Sequence, residues 1–360
     1  MNLETNEYDE LKEEENENDE KEYTTSYKLN SYGIDFDVNG LVRRQENNNI
    51  YLPDFQRNYV WTKNQASKFI ESLLLGLPIP SICLYKEESN KQIIIDGFQR
   101  LHSIKLFYKK KFSDNSIFRL INVSECFKGK TIDDLEDEIR RKLDDTTIHA
   151  TIVKADDPIE KNYNAVYLIF ERLNTGGVKL TPQEIRNCIY HGSFKKILEE
   201  MANESDFKNL LNISPRRKKD QEVVLRLFAL QDDFENYNGN MKEFLNNYMD
   251  KNKNENNNSF SKNIETFKRT IYYLNLLSPQ ILRPSKTLNL AILDAIFVGT
   301  FYTLKNSNIL LDEKKYQTLV STLIYKEEFI RYIETGKTHH SATLKSRINM
   351  AIKEISELSQ

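Results

Sequence analysis

The stretch Ile94-Ile-Asp-Gly-Phe-Gln-Arg100 holds the residue types from which an anion site is built. A short apolar run, Gln92 to Ile95, predicts a strand that ends at Asp96-Gly97, with an amphipathic helix beginning near Phe98. A strand that turns through glycine into a helix start presents unsatisfied backbone N–H groups, and the helix dipole favours negative charge there. Gly97 lets a phosphate come close to the backbone. Arg100 adds a planar fork suited to two phosphate oxygens. The Asp96 carboxylate is a candidate for holding a metal ion or orienting a water. These are the parts needed to handle a nucleotide or a nucleic-acid backbone.

Two further segments hold candidate ligand groups. Pro53-Asp-Phe-Gln-Arg57 sets Gln56 and Arg57 among Phe55, Tyr59 and Trp61. In an extended segment Phe55 and Arg57 share one face and Gln56 takes the other. An arginine held by aromatic packing is preorganised for phosphate or base contacts; an edge strand whose arginine pairs with a core acid fits the residues equally well. Asn174-Thr-Gly-Gly177 reads as a helix C-cap and turn, or as a second anion cradle built from Asn174, Gly176, Gly177 and the next helix start. Arg216, Arg217, Lys218 and Lys219 form a basic cluster before a helix, suited to nucleic-acid phosphates or simply solvated. Asp220, Glu222 and Arg226 follow as candidates for internal ion pairs. Of the histidines only His102, three residues after Gln99, is placed to face the Asp96 motif. No zinc-type His/Cys spacing, no Walker Gly-x-x-x-x-Gly-Lys-Ser/Thr and no Gly-x-Ser-x-Gly elbow occurs.

The elements that would position these groups follow from pattern. Ser31 to Arg44 predicts a short strand and a helix. Thr62 is an N-cap for a helix Lys63–Leu75, whose stripe is Ala66, Phe69, Ile70, Leu73 and Leu74, with Gly76 and Pro78 as its stop. Ser81–Lys86 and Lys91–Ile95 read as a hairpin, and Gln99–Tyr108 as a helix. Ser116–Val123 and Thr147–Lys154 read as strands on either side of a helical stretch, Ile132–Leu143. Residues 158–173 form a helical pattern. Thr181-Pro-Gln-Glu184 is a capping box with proline at the first helical position. Helical patterns continue through Gln221–Asp232, Met241–Met249, Ile264–Leu277, Leu288–Leu304, Lys314–Ile333 and Thr343–Ile355, with Asp250–Asn263 as an Asn/Lys-rich loop. The expected class is α+β. Its domains are an acidic tail over 1–24, a small α/β domain over 25–155 and a helical domain over 156–360.

Composition bounds the rest. The 360 residues are 39% hydrophobic, enough for a sizeable core. No run approaches the length of a membrane span, and the polar, acidic start is unlike a targeting peptide. Cys83, Cys126 and Cys188 are too scattered for a disulfide framework, so a cytoplasmic protein is expected. Residues 1–22 hold eleven Asp or Glu against two Lys, so a net charge of −3 hides a basic body. That balance is compatible with nucleic-acid binding.

At this point the chain resembles a known family. Pro53-Asp-Phe-Gln-Arg-Asn-Tyr-Val-Trp61, Leu75-Gly-Leu-Pro-Ile-Pro80 and Asp96-Gly-Phe-Gln-Arg100 look like the N-terminal domain of GmrSD modification-dependent restriction enzymes, long called domain of unknown function 262. Phe170-Glu-Arg-Leu-Asn-Thr-Gly-Gly177, Leu180-Thr-Pro-Gln-Glu184 and Asp220-Gln-Glu-Val-Val-Leu-Arg226 also match its pattern. The resemblance implies a ParB/sulfiredoxin-like core with a helical domain attached, and a role in defence against phage or modified DNA. It implies nucleoside triphosphate binding and hydrolysis, with Mg2+, at a hallmark Asp-Gly-Gln-Gln-Arg motif that carries over onto Asp96, Gly97, Gln99 and Arg100. Gln56, Arg57, Asn174, Gly176 and Gly177 carry over as flanking nucleotide contacts.

In that reading Arg100 and Arg57 hold phosphates, Asp96 positions metal or water, and Gln99 orients the attacking water. The hallmark's middle glutamine is Phe98 here, so either hydrolysis suffers while binding survives, or Phe98 points into the core at little cost. Many members continue into a His-Asn-His nuclease domain, a pattern these residues lack, so DNA cleavage is expected to need a nuclease or other defence-system partner. The alternatives are a non-catalytic ParB-like DNA-binding module and a DNA nuclease subunit.

Overall fold

The computed structural model describes residues 29–52, 59–87, 89–155, 167–169, 172, 181–190, 192–212, 218–306, 310–334 and 338–359. The expected acidic tail therefore lies outside the described residues. The chain divides into two compact units, and the division falls between Leu180 and Thr181.

The α/β unit is built on a mixed five-stranded sheet of order β1-β5-β3-β4-β2. Its strands are β1 (Leu29–Asp37), β2 (Ile50–Tyr51), β3 (Ile82–Lys86), β4 (Gln92–Asp96) and β5 (Thr147–Ala155). β1 runs antiparallel to β5, and β3 antiparallel to β4; β5 lies parallel to β3, and β2 to β4. On β5 Ile148, Ala150 and Ile152 are buried, while His149 between them is exposed and pairs with Asp35 across the ladder at 2.7 Å. In the centre both faces are buried: Ile82, Cys83 and Leu84 on β3, and Ile93, Ile94 and Ile95 on β4. An unbroken apolar run is what such a strand requires.

Among the described residues the sheet is accompanied by α1 (Val38–Glu46), α2 (Lys63–Leu75), α3 (Phe98–Tyr108) and α4 (Asp137–Asp144). α2 keeps the expected boundaries. Thr62 and Gln65 close a reciprocal capping box at its start, and Gly76 at φ 73° ends it. Such a cap contributes about 1 kcal/mol. The buried faces of α1, α2 and α3 join Leu84, Ile94, Ile148 and Ile152 in one core. Each fully buried aliphatic side chain there contributes roughly 1.5–3 kcal/mol.

One expectation fails in this unit. Ser116–Val123 is not a strand; its only ladder contact is a single bridge between Lys111 and Ile117. Phe118 and Leu120 are buried because the segment lies along α2. Its backbone groups are satisfied by Ser67 Oγ, which accepts from Ile121 N at 3.1 Å, by Glu71, which accepts from Ser124 N at 2.7 Å, and by the loop at Gly129–Lys130. Alternating burial arose without a sheet.

The second unit is helical throughout its described residues. It begins with α5 (Pro182–Ile189), whose capping box pairs Thr181 with Glu184 as expected. α6 (Phe194–Asn203) and α7 (Ser205–Leu211) follow, in a region for which no helix was predicted. Next come α8 (Lys219–Asp233), α9 (Met241–Asn252), α10 (Ser261–Asn275), α11 (Pro279–Leu282) and α12 (Leu290–Asn306). The expected helix Lys314–Ile333 is two helices, α13 (Glu313–Leu323) and α14 (Glu327–Glu334), and α15 (Ser341–Ser356) closes the unit. The expected loop Asp250–Asn263 is trimmed at both ends by α9 and α10.

α12 is buried nearly all round, and packs against α15, α10 and α8. Gly299 lets α15 approach: a Cβ there would lie 2.9 Å from the Ala351 carbonyl oxygen. Asp294, fully buried on α12, accepts two hydrogen bonds from Arg226, at 2.9 and 2.7 Å, and one from Arg347 at 3.4 Å. Arg186 on α5, also buried, donates to Asn246 at 2.8 Å and to Glu222 at 2.9 Å. Glu222 and Arg226 are therefore internal ion-pair partners, as their sequence positions suggested. The Arg186–Glu222 pair ties α5 to α8, and the Arg226–Asp294 pair ties α8 to α12.

Candidate functional site

The site grows from a defect in the β3–β4 ladder. Lys86, Tyr85 and Leu84 face Gln92, Ile93 and Ile94 in step, but Cys83 faces Asp96. Ile95 is the extra residue of a β-bulge, a feature that bends a strand and re-aims its side chains. In unbroken register Asp96 would share the face of Ile94, which points into the helix-packed core. The bulge puts it on the face of Cys83 instead. The Cys83 thiol registers this: burial, with the Asp96 carboxylate beside it, pushes its pKa up to about 11. Asp96 itself keeps 43% of its side chain exposed.

Gly97 then turns the chain at φ 95° and serves as N-cap of α3. Two constraints make this position glycine. The left-handed backbone disfavours a side chain, and a Cβ would lie 2.5 Å from Ile82 Cγ2. A glycine cap has no side chain to bond the helix start. The ladder begins with Leu101 N to Gly97 O at 3.0 Å. The amides of Phe98, Gln99 and Arg100 thus have no acceptor among the described residues, which is the arrangement that binds anions at helix N-termini.

The side chains of this first turn point to different neighbours. Arg100 donates through Nη2 to Asp96 Oδ2 at 2.8 Å, and through Nη1 to the Ser81 carbonyl at 3.0 Å and to the Pro80 carbonyl. It is 13% exposed, so it braces Asp96 against the loop before β3. Its Nε–H and one Nη2 proton have no partner among the described residues. Gln99 Oε1 accepts from the backbone N–H groups of Val60, at 3.1 Å, and Trp61, at 3.2 Å. Phe98 packs on the core and lies 5.1 Å from the His102 ring.

His102 does not serve the Asp96 motif. Its ring sits between Phe98 and Tyr59, the latter at 4.9 Å. Burial, helped by Lys105 and Lys109, pushes its pKa down to about 4, so the ring is neutral near pH 7.

Of the residues expected from sequence, the structure joins Asp96, Gly97, Gln99 and Arg100 at the β4–α3 turn. Gln56, Arg57, Asn174, Gly176 and Gly177 lie outside the described residues, as do Arg216 and Arg217. Lys218 is the residue before α8 and lies 3.7 Å from Glu199, and Lys219 is the first residue of α8. The acceptors of Arg100 at Pro80 and Ser81 were not expected.

Among the described residues no three His, Cys, Asp or Glu side chains converge as a metal-binding group. At this turn Asp96 offers a half-exposed carboxylate whose Oδ1 has no partner among the described residues. That donor set fits a Mg2+ held chiefly by phosphate oxygens and water, which is how this ion is commonly bound beside nucleotides. It does not make a protein cage. No helix is long and apolar enough to cross a membrane, among the described residues.

Residues 38–191 match the family described as GmrSD restriction endonuclease, N-terminal domain. None of the curated proteins matches the chain.

Proposed function

We propose, from the match of residues 38–191 to the GmrSD restriction endonuclease N-terminal domain, that this chain is a component of a restriction-type defence system acting on DNA, and that a nucleoside triphosphate bound at the first turn of α3 controls it. The observation that carries the nucleotide half is the glycine-capped N-terminus of α3, with three amides that find no acceptor among the described residues and a half-exposed carboxylate at its side. Phosphate oxygens accept from the amides of Phe98, Gln99 and Arg100. Arg100 holds Asp96 in place and offers its remaining N–H groups to the same phosphates. Asp96 would hold Mg2+ through the oxygen that Arg100 does not use. The ion, when bound, neutralises charge on the phosphoryl oxygens. Gln56, Arg57, Asn174, Gly176 and Gly177 are the flanking contacts this reading assigns. Arg216, Arg217, Lys218 and Lys219 are its DNA-phosphate contacts, each adding to a salt-sensitive affinity.

Calorimetric titration of Mg2+ complexes of the common triphosphates tests the nucleotide half. The expected result is saturable heat with at least one of them, weakened in Asp96→Ala. A wild-type chain that gives no heat with any of them would overturn it.

One observation favours a second reading, in which the triphosphate is bound without turnover. Asp96 is already paired with Arg100 at 2.8 Å. Phosphate release with and without DNA separates the two: turnover supports hydrolysis, and heat without release supports binding alone.

A further inference from the structure

Gln99 uses the oxygen of its side-chain amide on the protein's own backbone. Val60 N–H donates to it at 3.1 Å and Trp61 N–H at 3.2 Å. An amide oxygen has two lone pairs, and both are taken. The same short strap, Tyr59–Trp61, is held at three more points. Tyr59 Oη lies 2.7 Å from Ser103 Oγ, the Tyr59 ring is 4.9 Å from His102, and the Trp61 ring is 5.6 Å from Phe69. Gln99, His102 and Ser103 stand at i, i+3 and i+4, which is one stripe of α3. The strap covers that stripe.

We propose that Gln99 is a positioning residue. It fixes the Tyr59–Trp61 strap beside the first turn of α3 and does not orient the reacting water. The proposal rests on the nucleotide reading of this turn for its functional consequence, because the strap then borders the phosphate site. It rests on geometry alone for the contact itself. The role needs an acceptor oxygen of the right reach, and it does not need an amide. Glutamate at this position keeps two acceptor oxygens for the Val60 and Trp61 N–H groups. Methionine keeps the length and loses the acceptor.

The test uses the full chain as wild type, Gln99→Glu and Gln99→Met. Backbone hydrogen exchange at Val60 and Trp61 is read beside phosphate release with the Mg2+ complex of the triphosphate that binds. Gln99→Met is expected to exchange about tenfold faster at both amides, the equivalent of one neutral hydrogen bond, and to raise KM with kcat kept within about threefold. Gln99→Glu is expected to keep wild-type protection and wild-type kcat. Unchanged protection in Gln99→Met would show that the strap is not held by Gln99. A Gln99→Glu chain with full protection and a hundredfold lower kcat would show that the amide itself acts on water. Either result overturns the proposal. If the wild type binds no triphosphate, the nucleotide reading fails, and the exchange measurement still decides whether Gln99 holds the strap.

Discussion

Asp96 stands opposite Cys83 because Ile95 has no partner on β3. That single unpaired residue takes the carboxylate off the core face and leaves it at the mouth of α3. The first prediction follows from the proximity. Asp96→Asn removes the negative charge that helps hold the Cys83 thiol at about 11, so the thiol pKa falls toward the value that burial alone sets. More thiolate is then present at any pH below 11. Alkylation of the peptide containing Cys83, followed by mass spectrometry at pH 9, is expected to be faster in the variant, with the exposed Cys126 as an internal control. Equal rates would mean that the carboxylate does not face the thiol.

Gly97 is expected to tolerate no side chain. Gly97→Ala places a methyl group 2.5 Å from Ile82 Cγ2 on a backbone at φ 95°. The left-handed conformation alone costs about 1–2 kcal/mol, and the clash adds to it. Urea unfolding should show an unfolding free energy lowered by at least that amount. A variant as stable as wild type would contradict the turn described for this residue.

His102 gives a pH dependence with a definite sign. Its folded pKa of about 4 lies below the usual 6.5, so the neutral ring is the form that folding favours. The associated stability is complete above pH 6.5 and is lost as pH falls toward 4, because the unfolded chain takes up a proton that the folded chain refuses. His102→Phe keeps an aromatic ring between Phe98 and Tyr59 and should flatten the fall of thermal stability between pH 6.5 and 4. If the slope is the same in both proteins, His102 is not the group responsible.

These positions also show what the sequence could and could not reveal. α2, the β3–β4 hairpin and the start of α3 were legible because each has a local signal: the Thr62–Gln65 box, the polar turn at Glu87–Asn90, and Gly97 after an apolar run. The bulge was not, since hydrophobic alternation does not mark an unpaired Ile95. The partners of Gln99 and Arg100 are backbone groups, which leave no trace in residue type. Ser116–Val123 misled because a loop laid on a helix also buries every second residue. α6 carries a plain stripe at Phe194, Ile197, Leu198 and Met201, which the sequence does contain.

The helical unit makes a separate prediction. Asp294 is fully buried and is the acceptor for both Arg226 and Arg347. Removing one partner from a buried ionic group leaves uncompensated charge, at a cost of about 3–5 kcal/mol. Asp294→Asn should lower thermal stability strongly, whereas Asp35→Asn, which breaks only the exposed pair with His149, should change it by less than about 1 kcal/mol. Comparable losses from the two substitutions would contradict the assignment of Asp294 as the shared anchor.

The most direct measurement is amide hydrogen exchange at Phe98, Gln99 and Arg100 during titration with Mg2+-bound triphosphate. If phosphates are held by the open turn behind Gly97, these three amides become protected as the ligand saturates, while amides in the middle of α3 change little. If a triphosphate binds and leaves them exchanging at their original rate, the phosphates lie elsewhere and the account of this turn is wrong.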